Sequence, residues 1–280
     1  MAVFIHQLAQ WPRFNWEAER LSSLLAEVRH RQGKLLGQMA QLGFPLQAEA
    51  TLQTLTTEIL QSGEIEGEML NREQVRSSVA RRLGMETGGL LPADRHIEGV
   101  VEMMMDATGG YRQALTDERL FNWHAALFPT GRSGMHKITV AAWRDNPPHD
   151  PMQVVSGPSG REQVHFRAPD AALLPDEMNN FLHWFNHTTT LDPVLKAGIA
   201  HLWFVTIHPF DDGNGRMARA IGEMQLCRAD ESAQRFYSMS AQIRLERNEY
   251  YRQLEQTQKG TLDITDWLEW FLQCLNRAVV

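Results

Sequence analysis

The twelve residues His208–Arg219, HPFDDGNGRMAR, constrain this chain more than any other stretch. They follow one segment with helical patterning and run into a second. Asp192-Pro193 reads as an N-cap followed by a first helical residue, and apolar Leu195, Ile199, Leu202 and Trp203 then recur at the spacing of a buried helix that reaches Ile207. Pro209 ends that helix, because it removes a backbone donor and disfavours helical geometry at the residue before it. A second helix is expected from about Asn214 to about Cys227, with Met217, Ala220, Ile221 and Met224 on its inner side. The unit is helix, tight loop, helix.

The loop has the chemistry of an anion site. Gly213 and Gly215 admit backbone geometry closed to other residues and let a ligand approach the main chain. Free N–H groups at the start of the second helix point back into the loop, where the helix dipole adds partial positive charge. Arg216 and Arg219, three residues apart, share a helix face and can both reach phosphate oxygens. Asp212 would repel a bare phosphate but suits a hard divalent cation bridging phosphate oxygens, so a nucleoside triphosphate with magnesium fits the set. His208, beside the cradle, has the chemistry of a general base. Taken singly, each feature has a plain structural reading: a helix-end His, a GNG turn, a solvated pair of Arg. Their order within twelve residues is what argues for phosphorus chemistry.

At these residues the chain resembles the Fic family, whose signature is HxFx(D/E)GNGRxxR; His208, Phe210, Asp212, Gly213, Asn214, Gly215, Arg216 and Arg219 all match. The resemblance implies a mainly α fold, a Fic-type helical bundle with a short β-hairpin flap preceded by an N-terminal helical domain. It also implies transfer of AMP from ATP to a Ser, Thr or Tyr hydroxyl of a target protein or of the chain itself. By that resemblance His208 is the base, Asp212 holds Mg2+, Gly213, Asn214 and Gly215 bind the α- and β-phosphates, Arg216 and Arg219 bind the outer phosphates, and Phe210 anchors the loop in the core.

A second constellation, Ser62-Gly63-Glu64-Ile65-Glu66-Gly67, reads by itself as an acidic helix end. It is similar to the family's inhibitory motif (S/T)xxxE(G/N), carried here by Ser62, Glu66 and Gly67. The resemblance implies that Glu66 pairs with Arg219 and keeps ATP in an unproductive pose, and that Glu66 can position water for removal of AMP. Gly63 and Gly67 both lower helix propensity, so the turn is expected to be locally weak and able to yield.

Composition fits an enzyme of this kind. The 280 residues are 43% hydrophobic, enough for one large core or two smaller ones. A net charge of −7 without a basic run argues against a nucleic-acid partner. Cys227 and Cys274 sit in apolar helical patterns, which suggests a reducing compartment. Met1 to Phe14 lacks the apolar core of a secretory signal, and Val100–Met105 and Ala200–Ile207 are too short to span a membrane, so a cytoplasmic protein is expected.

Two domains are expected, an N-terminal helical domain over 1–90 carrying the inhibitory motif and a catalytic core over 91–280. Helices are expected over Trp16–His30, Gly33–Leu42, Gln47–Gln61 and Arg72–Leu83, with a break at Gly43-Phe44-Pro45. The phrases FNW, SGEIEGE and VRSSVARRLG resemble the domain that often precedes bacterial Fic cores. Trp11, Phe14 and Trp16 read as a packing cluster, and Arg72, Arg76, Arg81 and Arg82 as solvated helix charges. Gly88-Gly89 to Asp94 reads as a linker, followed by helices Ile97–Ala107 and Glu118–Leu127. Within Gly134–Pro169, Ile138–Trp143 and Gln163–Phe166 have strand-like residues and are expected to pair as a hairpin. In Fic proteins the corresponding flap docks the target's backbone as an added strand. Helices Asp176–His187, Ile243–Lys259 and a closing stretch within Leu262–Val279 complete the chain. Asn248, Tyr250 and Tyr251 lie where relatives supply adenine contacts, and core packing is an equal role for Tyr251.

Other readings stay open at this point: transfer of UMP, phosphocholine or phosphate on the same fold, or a non-catalytic nucleotide-binding regulator. Gly215 and Arg219 argue against phosphate transfer, and His208 against a vestigial site. The aromatic N-terminus leaves room for a homodimer.

Overall fold

Val194–Ile207 is apolar on every side, with only Lys196, His201 and Thr206 interrupting, and such a helix is stable only when surrounded. The computed structural model, which describes residues 3–85, 89, 91–157, 161 and 163–279, puts it at the centre. Helix α7 (Pro193–Ile207) is buried along its whole length from Val194 onward, and Asp192 caps it through its carboxylate on the Val194 and Leu195 N–H groups. Around it stand α1 (Ala18–Ala40), α2 (Phe44–Ile65), α3 (Arg72–Arg82), α4 (Arg95–Gly109), α5 (Asp117–Leu127), α6 (Leu174–His187), α8 (Asn214–Asp230), α9 (Met239–Leu245), α10 (Arg247–Gln258) and α11 (Thr265–Ala278). Helix α8 packs along α7 in antiparallel fashion across the loop His208–Gly213, so the motif sits at one end of the central pair.

Two small antiparallel hairpins complete the architecture among the described residues. β1 (Arg132–Ser133) pairs with β2 (His136–Lys137), and β3 (Gln153–Ser156) pairs with β4 (Gln163–Arg167), with Gln153 opposite Arg167 and Ser156 opposite Gln163. The fold is mainly α with a short hairpin, as expected.

Several boundaries differ from the sequence reading for physical reasons. Trp16–His30 and Gly33–Leu42 are one helix, α1: Gly33 costs about 1 kcal/mol relative to Ala, which does not break a helix whose Leu21, Val28 and Gln32 are buried. Pro45 does not interrupt α2 but lies in its first turn, where no N–H is needed. The expected helix Ile243–Lys259 is α9 and α10, jointed at Glu246. Ile138–Trp143 is not a strand. The Ile138 N–H goes to Gly131 O at 3.1 Å, those of Thr139 and Ala141 go to the side chains of Asp211 at 2.8 Å and His124 at 3.3 Å, and Ala141 has a positive φ of 56°. The partner of β4 is β3. Gly88, in the expected linker, lies outside the described residues.

Buried polar groups join the N-terminal helices to the rest. Glu58 of α2 accepts from Ser238 Oγ at 2.6 Å and the Ser240 N–H at 2.9 Å, at the N-terminus of α9 where a carboxylate is favoured. Gln32 of α1 donates to Asp230 and Tyr237, which together with Glu223 surround buried Arg235. Trp11 and Phe14 meet Trp203 of α7 edge to face, the expected packing cluster. One hydrophobic core contains Leu21, Leu55, Trp203 and Ile221.

Burial pushes His6, His124 and His208 down to about 4 and His201 to about 3, so all four are neutral in the fold at pH 7. Between about pH 6.5 and 4 the unfolded chain binds protons at these positions that the fold does not, so stability rises with pH across this window. Glu223, raised to about 8 by burial, acts oppositely with a single proton. Thermal unfolding followed by circular dichroism should therefore show a midpoint that drops as pH is lowered from 6.5 to 4.5. A midpoint constant across that range would contradict burial of the neutral imidazoles.

Candidate active site

His208 is the residue at which α7 stops. It adopts a left-handed conformation, φ 52° and ψ 57°, while its N–H still donates to Phe204 O at 3.0 Å. A non-glycine residue pays for that geometry unless its surroundings hold it. Here Arg144 does so: its Nε donates to His208 O at 2.7 Å, and its Nη2 donates to Pro169 O at 2.6 Å and Ile207 O at 3.4 Å. His208 Nδ1 faces Val205 O at 3.2 Å, which makes Nδ1 the protonated nitrogen and leaves Nε2 a free lone pair. Burial, reinforced by the Arg144 charge, pushes His208 down to about 4, so at neutral pH the ring can accept a proton.

Asn214 fixes the loop that follows. Its side chain accepts from Phe210 N–H at 3.0 Å and donates to Phe210 O at 2.8 Å. That amide is buried, so the side chain of Asn214 staples the loop, and what Asn214 brings to the cradle is its place at the start of α8. Phe210 is completely buried, stacked on His124 with centroids 4.2 Å apart. His124 in turn accepts from the Ala141 N–H at Nδ1 and donates from Nε2 to Asp212 O at 3.2 Å. Gly213, at φ 81°, turns the chain into α8. Asp212 accepts from its neighbour Gly213 N–H at 2.6 Å and from the Ser133 hydroxyl of β1.

The cradle holds an anion of the chain itself. A methyl group placed on Gly215 would lie 2.1 Å from Glu66 Oε1, so this carboxylate rests on the first turn of α8. Arg219, whose side chain is 1% exposed, lies 2.9 Å from the same oxygen through Nη1. Its Nε and Nη2 donate to Ser62 Oγ at 2.9 Å and Ser62 O at 2.8 Å. Burial opposes the Arg219 charge, and Glu66 together with Tyr250 and Tyr251 more than offsets it. Arg216 donates to Glu68 Oε2 at 2.8 Å.

The end of α2 explains how these carboxylates are aimed. Gly67 N–H donates to Glu64 O and Glu68 N–H to Gly63 O, both at 3.0 Å, with Gly67 at φ 81°. This is a Schellman cap. A side chain at Gly63 would press on the Glu68 carbonyl at 3.1 Å. The two glycines thus close the cap. Arg247 Nε and the Tyr251 hydroxyl donate to Ile65 O at 2.7 and 3.2 Å, so α10 holds the turn from its other side.

A cavity of about 600 Å³ opens here, lined by Glu66, His208, Gly215, Asn248 and Tyr251 and by β3 and β4 of the hairpin. Tyr251 lies at its wall, with its hydroxyl 3.3 Å from Glu66 Oε2. Tyr250 borders the cavity but is 1% exposed; its ring packs on Trp267 and Trp270 and its hydroxyl meets His201 Nε2 at 2.9 Å. Of the expected base contacts, Tyr250 is therefore a core residue. Sequence reasoning missed Arg144, His124 and the Arg216 partner Glu68. Only Glu68 carried a signal, a second acid just beyond Gly67.

Residues 114–226 match the family model described as Fic/DOC family, and residues 4–85 match a domain of unknown function (DUF4172). Over 112 residues the chain is 36% identical to the protein adenylyltransferase Fic of Drosophila yakuba, covering 39% of this chain and 20% of that protein. The protein of the same name from Drosophila mojavensis is 26% identical over 226 residues, 79% of this chain and 40% of the relative. The chain thus spans a fifth of the first relative's length and two fifths of the second's. Among solved structures, a Fic family protein from Desulfovibrio desulfuricans superposes with a TM-score of 0.65 at 25% identity, covering 92% of this chain and 72% of that one. Fic-1 from C. elegans shares the fold, with a TM-score of 0.60 at 18% identity over 94% of this chain and 72% of that one. With the loop His208–Arg219 inside the matched segment and the helical fold shared, this chain carries a Fic/DOC family domain.

Proposed function

We propose that this chain is a self-inhibited protein adenylyltransferase, moving AMP from ATP to a Ser, Thr or Tyr hydroxyl of a target protein or of itself. The observation that carries the reading is that a neutral His208 and an α8 cradle already holding a carboxylate open onto one cavity. The curated relatives named protein adenylyltransferase support it.

The steps follow from the residues. The exposed β3 residues Val154 and Val155 belong to a two-stranded hairpin, whose free edge can take a target backbone as an added strand. The incoming hydroxyl gives its proton to His208 Nε2 as its oxygen attacks the α-phosphorus. The bond from that phosphorus to the bridging oxygen breaks, and pyrophosphate leaves with the electron pair. Gly215 and the α8 N-terminus face the phosphates, and Arg219 reaches them only after Glu66 withdraws. Among the described residues no three His, Cys, Asp or Glu side chains form a metal cage. A single carboxylate beside a hydroxyl, as in Asp212 with Ser133, suits Mg2+, which takes its other ligands from phosphates and water. Bound there, Mg2+ would neutralise charge on the leaving pyrophosphate.

Three outcomes are expected. His208→Ala should lose AMP transfer by at least about a hundredfold while ATP affinity stays within about twofold, since the cradle is built from other groups. Intact-mass analysis after incubation with ATP and Mg2+ reads the first effect and calorimetry the second; adduct formation at the parent rate removes His208 from the role of base. The same mass measurement separates an AMP adduct from a phosphate adduct, and the latter would replace AMP transfer by phosphate transfer.

Asp212→Ala should abolish the dependence of transfer on Mg2+ together with most of the activity. Equal rates for the parent in Mg2+ and in excess EDTA would take the metal out of the mechanism.

Glu66→Gly should activate. Breaking a pair whose Arg219 side is buried and whose Glu66 side chain is 31% exposed is on the order of 2 to 4 kcal/mol, a rate gain of roughly thirtyfold to several hundredfold where the productive pose limits turnover. Self-labelling with radiolabelled ATP measures it, and labelling equal to the parent's would leave Ser62–Gly67 a structural helix end.

A further inference from the structure

Glu66 and Glu68 leave the α2 cap on either side of Gly67, and each takes one arginine of the motif. Glu66 Oε1 meets Arg219 at 2.9 Å and Glu68 Oε2 meets Arg216 at 2.8 Å. Glu68 has a further partner, because its Oε1 is bonded to His96 Nε2 of α4, whose Nδ1 faces Leu127 O at 3.2 Å. A second cavity, of about 690 Å³, is lined by Glu66, Glu68, His96, Ser133, Asp212 and Arg216. Glu66 is therefore a wall shared with the cavity of His208.

Arg216 is prepared for more than Glu68. Its side chain is 8% exposed, its guanidinium lies over the Phe128 ring at 5.1 Å, and its Nε is buried with no hydrogen-bond partner among the described residues. An unused donor on a buried cation is costly unless some state of the protein satisfies it, and Arg216 lines the cavity from which an anion would approach.

We propose that Glu68 is a second inhibitory carboxylate, standing in the part of the nucleotide site meant for the outer phosphates and withholding Arg216 until it is displaced. This rests on the reading of the site as one for a nucleoside triphosphate. The carboxylate both occupies an Arg216 donor and repels the phosphates that would replace it. It also has somewhere to go. Burial pushes the Glu68 carboxyl up, but the His96 bond and the Arg216 charge together hold it below the usual range, and the same bond raises His96. On losing Arg216, Glu68 keeps the His96 partner, so this latch opens without stranding a buried charge. Removing Glu66 alone then frees Arg219 and leaves Arg216 engaged.

The test is calorimetric titration of the full chain with ATP and Mg2+, and separately with AMP, for Glu66→Gly, Glu66→Gly/Glu68→Gln and Glu66→Gly/His96→Gln. Gln keeps the shape of Glu68 and one acceptor oxygen without its charge. The Glu68 double variant should bind ATP at least about tenfold more tightly than Glu66→Gly, with AMP changed by less than about threefold, because Arg216 serves phosphates beyond the first. Replacing the His96 imidazole by a neutral amide weakens the alternative hold on Glu68 and should weaken ATP binding. Equal ATP affinity in Glu66→Gly and the Glu68 double variant overturns the proposal, as does an equal gain for AMP, or tighter ATP binding in the His96 variant. Intact-mass analysis of the same samples separates the two levels of inference. ATP affinities in the expected order without any AMP adduct leave the latch standing and reject AMP transfer. AMP adducts with no effect of Glu68 on ATP binding reject the latch alone.

Discussion

A guanidinium as buried as that of Arg219 has to be matched by partners, and the arrangement of the site follows from how it is matched. Ser62 supplies a hydroxyl and a carbonyl, and Glu66 supplies the charge. Both come from the last turn of α2, so that turn must dock against the start of α8, the same place where backbone amides and the helix dipole favour an anion. The Glu66 carboxylate thus meets two needs at once, the charge of Arg219 and the potential of the cradle. A ligand phosphate could meet the same two needs, which is why the residues that stabilise the resting fold are those a nucleotide would have to displace.

The helices that deliver this turn are not loosely attached. Glu58 caps α9 from within α2, Gln32 of α1 reaches the buried Arg235 cluster, and Arg247 and Tyr251 hold the Ile65 carbonyl. Withdrawing the whole helix would break the Glu58 bonds to Ser238 and Ser240 and leave the buried N-terminus of α9 without its carboxylate. The part able to move at small cost is the Schellman cap itself, held by two backbone hydrogen bonds and bearing exposed Met69 beyond it.

Much of this was readable in the sequence because it depends on local chemistry. The caps and periodicity of α7 and α8, the proline that ends α7 and the glycines of the loop are properties of neighbouring residues, and the helices match to within a few positions. What was not readable depends on distant partners. Arg144 stands in a segment with strand-like composition, and nothing near it in the chain announces that its guanidinium holds the carbonyl of His208, sixty-four residues on. The Ile138–Trp143 stretch failed as a strand for the same reason: the N–H groups of Thr139 and Ala141 go to Asp211 and His124 and not to a ladder. Tyr250 and Tyr251 are adjacent and aromatic, and only the packing of α10 against α11 decides that one faces the core and the other the cavity.

The placement of Glu66 and Glu68 on one cap has a consequence for how the site can switch. Two carboxylates on separate elements would release their arginines independently, giving partly open states. Here Gly67 alone separates them, and the hydrogen bonds from Gly67 and Glu68 to Glu64 and Gly63 set the direction of both side chains. A change of backbone geometry at Gly67 moves both carboxylates, so the two arginines are coupled through a single turn. The fallback partners are also in place, Tyr251 for Glu66 and His96 for Glu68. Were a phosphate to take either arginine, neither acid would be left without a polar contact, and the contacts to be broken would be those of the cap and the ion pairs, with α2 itself intact.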